Sequence, residues 1–159
     1  MDPENRFKAP WDGLVKGITA SIIALLFLVA AIILVESDNG LLASSLAAFF
    51  ACVLILPFLW APGGYVVEGR QVIVKRWIGE TRITAAGEPR RWNWTWRGIR
   101  LWGSGGLYGF FGYFTFKGIG RVRMHITNRH NLVLVIDDKA RKHLVSPDQP
   151  GRFILLLTR

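Results

Sequence analysis

The sequence predicts an α+β chain: a two-helix transmembrane hairpin, then a small β-rich domain with a helix at its C-terminal end. Three observations predict it. Two uncharged apolar runs, GITASIIALLFLVAAIILV (Gly17 to Val35) and LLASSLAAFFACVLILPFLWAP (Leu41 to Pro62), follow one another near the start. After Gly63 and Gly64 the pattern shortens to β-branched and aromatic runs broken by glycine and asparagine, which is strand-and-turn patterning. The closing stretch SPDQPGRFILLLTR places cap and proline chemistry before an apolar face, which is a helix start. The organisation expected is therefore an N-terminal segment over 1–16, a hairpin over 17–64 with spans at 17–35 and 41–62, and a domain over 65–159.

A helix that crosses the hydrocarbon core needs about 20 largely apolar residues, and both runs meet that length. The first exceeds the roughly 7–15 residues of a signal-peptide apolar region and a second run follows at once, so it reads as a span. The connector ESDNG, Glu36 to Gly40, is long enough only for a tight helical hairpin, which puts both termini on one side. It carries two acids and no base, whereas Arg6, Lys8 and Lys16 precede the first span and basic chain follows the second. By the positive-inside rule the termini are cytoplasmic and the connector is outside.

Small residues recur every four positions in the second span, as Ser44, Ala48 and Cys52 and as Ala43, Ala47 and Ala51, with Ala20 and Ala24 in the first. Such spacing lets helix backbones approach closely. It is read as packing of the spans on each other, ahead of a docking face for a larger complex. Cys52 is the single cysteine and makes no intrachain disulfide. Neither span contains Asp, Glu, Lys, Arg or His. Transport or proton transfer would call for one, so the hairpin is read as an anchor.

From Tyr65 onward there are 17 Lys plus Arg against 6 Asp plus Glu, a net of +11 that exceeds the +9 of the whole chain. Beside an anionic leaflet each nearby Lys or Arg contributes about 1 kcal/mol. Nucleic acid is not an expected partner, because no helix-turn-helix, zinc finger or aromatic RNA-binding signature is present.

In the domain, YVVEGRQVIVKRWIGETRIT reads as strands turning at Gly69 and Gly79, and AAGEPRR as a loop. RRWNWTWRG then sets Trp92, Trp94 and Trp96 at period two, opposite Arg91, Asn93, Thr95 and Arg97. Two placements suit that ladder: the inward face of a small barrel, or the membrane interface, where indoles keep one end apolar and one end wet. In the second, Arg90, Arg91, Arg97 and Arg100 meet anionic headgroups.

RLWGSGGLYGFFGYFTF, Arg100 to Phe116, sets five glycines among seven aromatic residues. It is not a dinucleotide loop, since Tyr108 stands where the third glycine belongs, and no Gly-Lys-Ser/Thr occurs. It is too short and too rich in glycine for a third span. A pliable hairpin or loop is expected, in which Trp102, Tyr108, Phe110, Phe111 and Tyr113 meet the interface or a partner, or else fold over the core.

GRVRMHIT, NLVLVID and RKHLV are strand-like, and in the first Val122, Met124 and Ile126 alternate with Arg121, Arg123, His125 and Thr127. Ser146 is expected as the N-cap of the last helix, with Pro147 first and Asp148 in the first turn, and with Phe153, Leu156 and Leu157 as its apolar face. His125, His130 and His143 lack the close pairing of a metal site. Ser104 belongs to a glycine loop and Ser146 to a cap, neither in a nucleophile elbow. Asp137 and Asp138 read as a solvated turn. No set of residues makes an enzyme, and no cofactor or metal is expected.

The segment GSGGLYGFFGYF, then GRVRMHITNR, then a strand pair ending in Ser146-Pro147-Asp148 before a Phe-bearing helix, resembles the bacterial membrane-anchored PH-domain proteins over roughly Tyr65 to Leu157. The resemblance implies a pleckstrin-homology-like split β-barrel of about seven strands closed by the C-terminal helix, in a bacterial inner (cell) membrane, and it implies no activity. The inositide-binding basic motif of eukaryotic PH domains finds no residue-by-residue match. The expected function is a non-catalytic, membrane-anchored interaction module that binds a protein partner or the anionic membrane surface. The alternative is an accessory or assembly subunit of a larger membrane complex. Expected partners are membrane lipids and other membrane proteins, either complex subunits or further copies of the chain.

Overall fold

The computed structural model describes residues 3–36, 40–95 and 98–158. Two site expectations, Trp96 and Arg97, lie outside them, as does the middle of the connector, 37–39. Helices α1 (Gly13–Glu36) and α2 (Gly40–Trp60) are apolar along their length and largely exposed. A helix apolar all round is one that lipid or protein must cover, so both are compatible with a membrane anchor.

Ten strands and a third helix follow the same chain: β1 (Arg6–Lys8), β2 (Pro62–Glu68), β3 (Gln71–Arg76), β4 (Glu80–Thr84), β5 (Arg90–Trp92), β6 (Gly98–Gly106), β7 (Gly109–Phe116), β8 (Gly120–Ile126), β9 (Leu132–Ile136), β10 (Lys142–Val145) and α3 (Pro150–Leu157). They form a four-stranded sheet, β1-β2-β3-β4, and a six-stranded sheet, β5-β9-β10-β8-β7-β6. β10 inserts between β8 and β9, antiparallel to β9 and parallel to β8, so that His143 lies opposite Arg123 and Val145 opposite His125. The sheets exceed the expected strand number for two reasons. The N-terminal segment supplies β1, whose Phe7 packs edge-on against Phe153 at 5.2 Å between ring centres, and the glycine-aromatic segment forms two paired strands on either side of a turn at Leu107 and Tyr108.

The centre of the six-stranded sheet, β9 and β10, is buried on both faces, whereas the edge strand β6 is largely exposed. One face meets the first sheet and α3 through Tyr65, Val72, Val74, Val133, Val135, Val145, Phe153 and Leu157. The other carries Phe110, Phe114, Phe116, Met124, Leu132, Leu134 and Leu144 under Trp11, Leu14 and Val15 from the N-terminal side. β9 therefore reads LVLVI without alternation, as a strand covered on both sides does.

Three expectations need correction. The last helix begins at Pro150 with Gln149 as N-cap, not at Ser146. Ser146 is wholly buried, and its Oγ accepts the N–H groups of Thr127 (2.9 Å) and Asn128 (3.2 Å). Buried backbone donors at the end of β8 need an acceptor, while Pro150 has no N–H to lose at the first helical position. The 1–16 segment is not separate from the domain, since β1 completes its first sheet. Finally, of the small residues expected to pack the hairpin, only Ala43 is buried; Ala20, Ala24, Ser44, Ala47, Ala48, Ala51 and Cys52 are exposed. The half-buried stripes run through Ile22, Leu26, Val29 and Ile33 on α1 and Leu46, Phe50, Val53 and Pro57 on α2, so the helices meet through large side chains that offer more dispersion contact.

Candidate functional site

The glycine-aromatic segment is a β-hairpin, with Gly103 paired to Gly112 across it. Both have φ near +115° (+113° and +119°), and a Cβ on either would overlap the facing backbone, Phe111 O or Trp102 O. Glycine is required there because the two strands approach too closely for side chains. The turn of the hairpin sits against the helices: Tyr108 N–H donates to Thr19 Oγ1 at 3.0 Å, and the Tyr108 ring meets Phe58 at 5.3 Å and Trp11 at 5.8 Å. On the other side of the end of α2, Ile78 N–H donates to Leu59 O at 3.2 Å and Trp77 stacks obliquely on Phe58 at 5.6 Å. At the start of α1, Asp12 Oδ1 accepts Val15 N–H (2.8 Å), while its Oδ2 accepts Arg129 Nε–H (2.7 Å) and N–H (3.1 Å). Burial alone would raise the Asp12 pKa, but these donors outweigh it and hold the carboxyl below its usual range. Both helix ends are thus fastened to the domain.

The expected interface residues divide. Trp102 is 77% exposed, with Phe111 and Tyr113 half-buried, whereas Tyr108 and Phe110 are buried and cannot face lipid. The tryptophan ladder stops being a strand at Trp92, because Trp92 pairs with Leu132, the first residue of β9, and no partner backbone continues. Trp92 and Trp94 cover the second core, Trp94 lying 5.1 Å from Phe110 and 6.2 Å from Phe116. Arg90, Arg91 and Arg100 are exposed. The exposed apolar rim is made by other residues, Trp60, Trp77, Ile78, Ile99 and Leu101 together with Trp102.

A second constellation was visible only as an alternation. The polar face of β8 points between the sheets, where His125 is 1% exposed, and Arg76 from β3 approaches it. Arg76 Nη2 donates to His125 Nδ1 at 3.1 Å. Since guanidinium only donates, Nδ1 accepts and the ring proton of neutral His125 is on Nε2. Both Nε2 and Arg76 Nε are buried with no hydrogen-bond partner. Burial first, then Arg76, Arg123 and His143, push the His125 pKa well below its ordinary value; burial and Arg123 lower that of Arg76. Arg76, Arg123 and His125 line a cavity of about 260 Å³ with Tyr113, Phe111, Gly103, Gly112, Trp60 and Trp102. Among the described residues no carboxylate lines it. On the far side of Tyr113, Arg121, Arg123, Arg141, Lys142 and His143 line a further cavity of about 410 Å³. There Asp137 supplies an acid, pairing with Arg141 Nε at 2.7 Å and His143 Nε2 at 3.1 Å. The turn expected to be solvated thus buries Asp137 and leaves Asp138 exposed.

The hydroxyls of Ser104, Tyr65 and Ser146 are engaged in structural hydrogen bonds. Ser104 Oγ donates to Leu107 O at 2.7 Å. Tyr65 Oη donates to His125 O at 2.6 Å, which leaves the Ser146 proton to Tyr65 Oη at 3.2 Å. Among the described residues no group of three or more His, Cys, Asp and Glu is placed to hold a metal ion.

A family model described as bacterial PH domain matches residues 63–159, from β2 through α3. The chain belongs to the bacterial PH-domain family. No curated protein and no solved structure matches it. PH domains are generally non-catalytic binding modules, and in this one the cationic corner lies inside the matched segment except for Trp60, which α2 contributes. The signal for the corner was the run GRVRMHIT: one face of β8 carries Arg121, Arg123 and His125, which pass from exposed through half-buried to buried as the strand runs in between the sheets.

Proposed function

We propose that this PH-domain protein is a multi-pass protein of the bacterial cell membrane, with the hairpin over 17–64 as anchor and residues 65–159, completed by β1, as a cytoplasmic interaction module at the membrane surface. The observation that carries the reading is the apolar rim. Trp77, Ile78, Ile99, Leu101 and Trp102 are exposed on a turn and an edge strand beside the end of α2, where an anchored domain meets the interface that tryptophan favours. The excess of Arg and Lys after the second span, against two acids in the connector, supports cytoplasmic termini, and exposed Arg90, Arg91 and Arg100 suit an anionic surface.

The test is fluorescence quenching by nitroxide lipids labelled at headgroup depth, with the full chain in vesicles. Quenching is expected in the native protein, with a smaller quenched fraction in both Trp77→Phe and Trp102→Phe. Equal quenching in all three refutes the placement. The second reading, an accessory subunit, is favoured by the exposed small-residue stripe Ala20, Ala24, Ser44, Ala48 and Cys52, which the hairpin itself does not use. Stoichiometric membrane subunits seen by native mass spectrometry after gentle extraction would decide for it.

A further inference from the structure

We propose that the corner made by Arg76, Arg123 and His125 is the headgroup site of an anionic phospholipid whose hydrocarbon chain lies in the adjoining groove between the helices and β6. The inference rests on the reading of the hairpin as a membrane anchor. Its first support is donor chemistry. Arg76 Nε and His125 Nε2 are buried donors without acceptors, and each unmet donor costs free energy that an oxyanion would return. Its second support is charge. Several other cations have acids in place: Asp12 meets Arg129, Asp137 meets Arg141, and Glu80 meets both Lys75 and Arg82. Arg76 instead has burial and the charge of Arg123 against it, with no carboxylate among the residues that line the cavity.

Its third support is shape, and this selects a lipid over a free phosphate. A groove of about 610 Å³ runs beside the corner, walled by Ile18 and Ile22 of α1, Val53, Leu56 and Pro57 of α2, and Leu101 of β6. The groove and the cationic cavity share Trp60, Trp102, Gly103 and Phe111. One cationic chamber and one apolar channel behind a common wall fit one molecule with a phosphate at one end and hydrocarbon at the other. The groove walls belong to the cytoplasmic ends of both helices, so the corner stands at headgroup height.

The full chain is purified in mild detergent, stripped of lipid by detergent exchange, and titrated with phosphatidylglycerol, with phosphatidylcholine of the same chains, and with inorganic phosphate. Native mass spectrometry and thermal unfolding are the readouts. One phosphatidylglycerol per chain is expected to bind and to raise Tm, with phosphatidylcholine weaker and millimolar phosphate neither binding nor displacing it. Arg76→Gln and Arg123→Gln are each expected to weaken binding about tenfold, the scale of a lost charge-assisted contact. Leu56→Trp should weaken it by filling the groove. In the lipid-free state Arg123→Gln is expected to raise Tm by relieving repulsion with Arg76, an effect that a folding defect would reverse. Competition by inorganic phosphate would overturn the lipid assignment, and undiminished binding by both arginine variants would overturn the site. Membrane fractionation of the same proteins keeps the anchor separate: a native chain found outside the membrane fraction sinks the anchor reading, whereas variants that stay in the membrane but lose lipid leave it standing.

Discussion

Replacing Ser146 with alanine removes one oxygen from a wholly buried junction and strands several groups at once. Ser146 Oγ accepts from Thr127 N–H at 2.9 Å and Asn128 N–H at 3.2 Å, and donates to Tyr65 Oη. Thr127 is fully buried, so its N–H loses its partner without access to water, at about 1–3 kcal/mol; Asn128 is half-exposed, and water replaces part of its loss, leaving roughly 1 kcal/mol. The expected destabilisation is about 2–4 kcal/mol, or a Tm lower by roughly 4–16 °C for a chain of this size. The same oxygen also helps hold the start of α1, because Thr127 O accepts Asp12 N–H at 3.1 Å and Thr127 Oγ1 donates to Pro10 O at 3.0 Å. Thermal unfolding of the full chain in mild detergent, followed by near-ultraviolet circular dichroism, measures the loss. Tyr65→Phe breaks the network from its other side, so the pair is expected to couple by about 0.5–3 kcal/mol in a double-mutant cycle. A Ser146→Ala cost below about 0.5 kcal/mol, the scale of an ordinary surface substitution, or strict additivity with Tyr65→Phe, would refute the reasoning.

Two further outcomes are expected. Gly112→Ala places a side chain at φ +119° and 2.8 Å from Gly103 Cα while overlapping Trp102 O, so strain of about 1–3 kcal/mol adds to a backbone collision; Gly63→Ala, whose nearest neighbour is Lys75 O at 3.9 Å, serves as the control, and equal Tm values for the two would count against the hairpin register. Resistance to urea unfolding is expected to weaken on acidification: buried His125, facing Arg76 from β3, Arg123 on its own strand and His143 from β10, stays neutral in the fold, so its contribution is full above about 6.5, the unfolded histidine value. It is lost as pH falls below that, by up to about 1.4 kcal/mol per pH unit. Asp137, where backbone and Arg141 and His143 donors outweigh burial and hold the pKa to about 2, keeps its contribution until pH falls below the ordinary carboxylate range. A flat stability between pH 7.5 and 5 would show that His125 takes up its proton as readily in the fold as in the unfolded chain.

The helices, the strand-rich domain and the family were legible because they rest on local pattern: run length for α1 and α2, β-branched alternation for β3 and β8, and glycine spacing for the hairpin turn. What sequence could not carry is which face a strand turns to which neighbour. The tryptophan period of two was real, yet whether Trp94 meets lipid or core depends on where β9 starts, 38 residues along the chain from it at Leu132. Ser146-Pro147-Asp148 is good cap chemistry, but the buried N–H groups of Thr127 and Asn128 claimed the serine first, a competition set by β8 and β10 lying side by side. Arg76 and His125 are 49 residues apart, and nothing short of the sheet packing brings them together.

The connections between anchor and domain set how strong any binding at the corner needs to be. Only Ala61 separates α2 from β2, and Asp12, Thr19 and Leu59 tie both helix ends to β-structure. A module on a long flexible linker would have to find the membrane and choose its face each time. With the hairpin as the anchor proposed above, orientation is built into the covalent chain, and a headgroup at the interface would meet the corner at the high effective concentration that tethering provides. Modest affinity then suffices, which is consistent with a corner of three cationic or donor groups rather than a deep, fully enclosed pocket. Under the proposed lipid assignment, the unmatched charge of Arg76 and Arg123 finds its counter-charge in the bound headgroup.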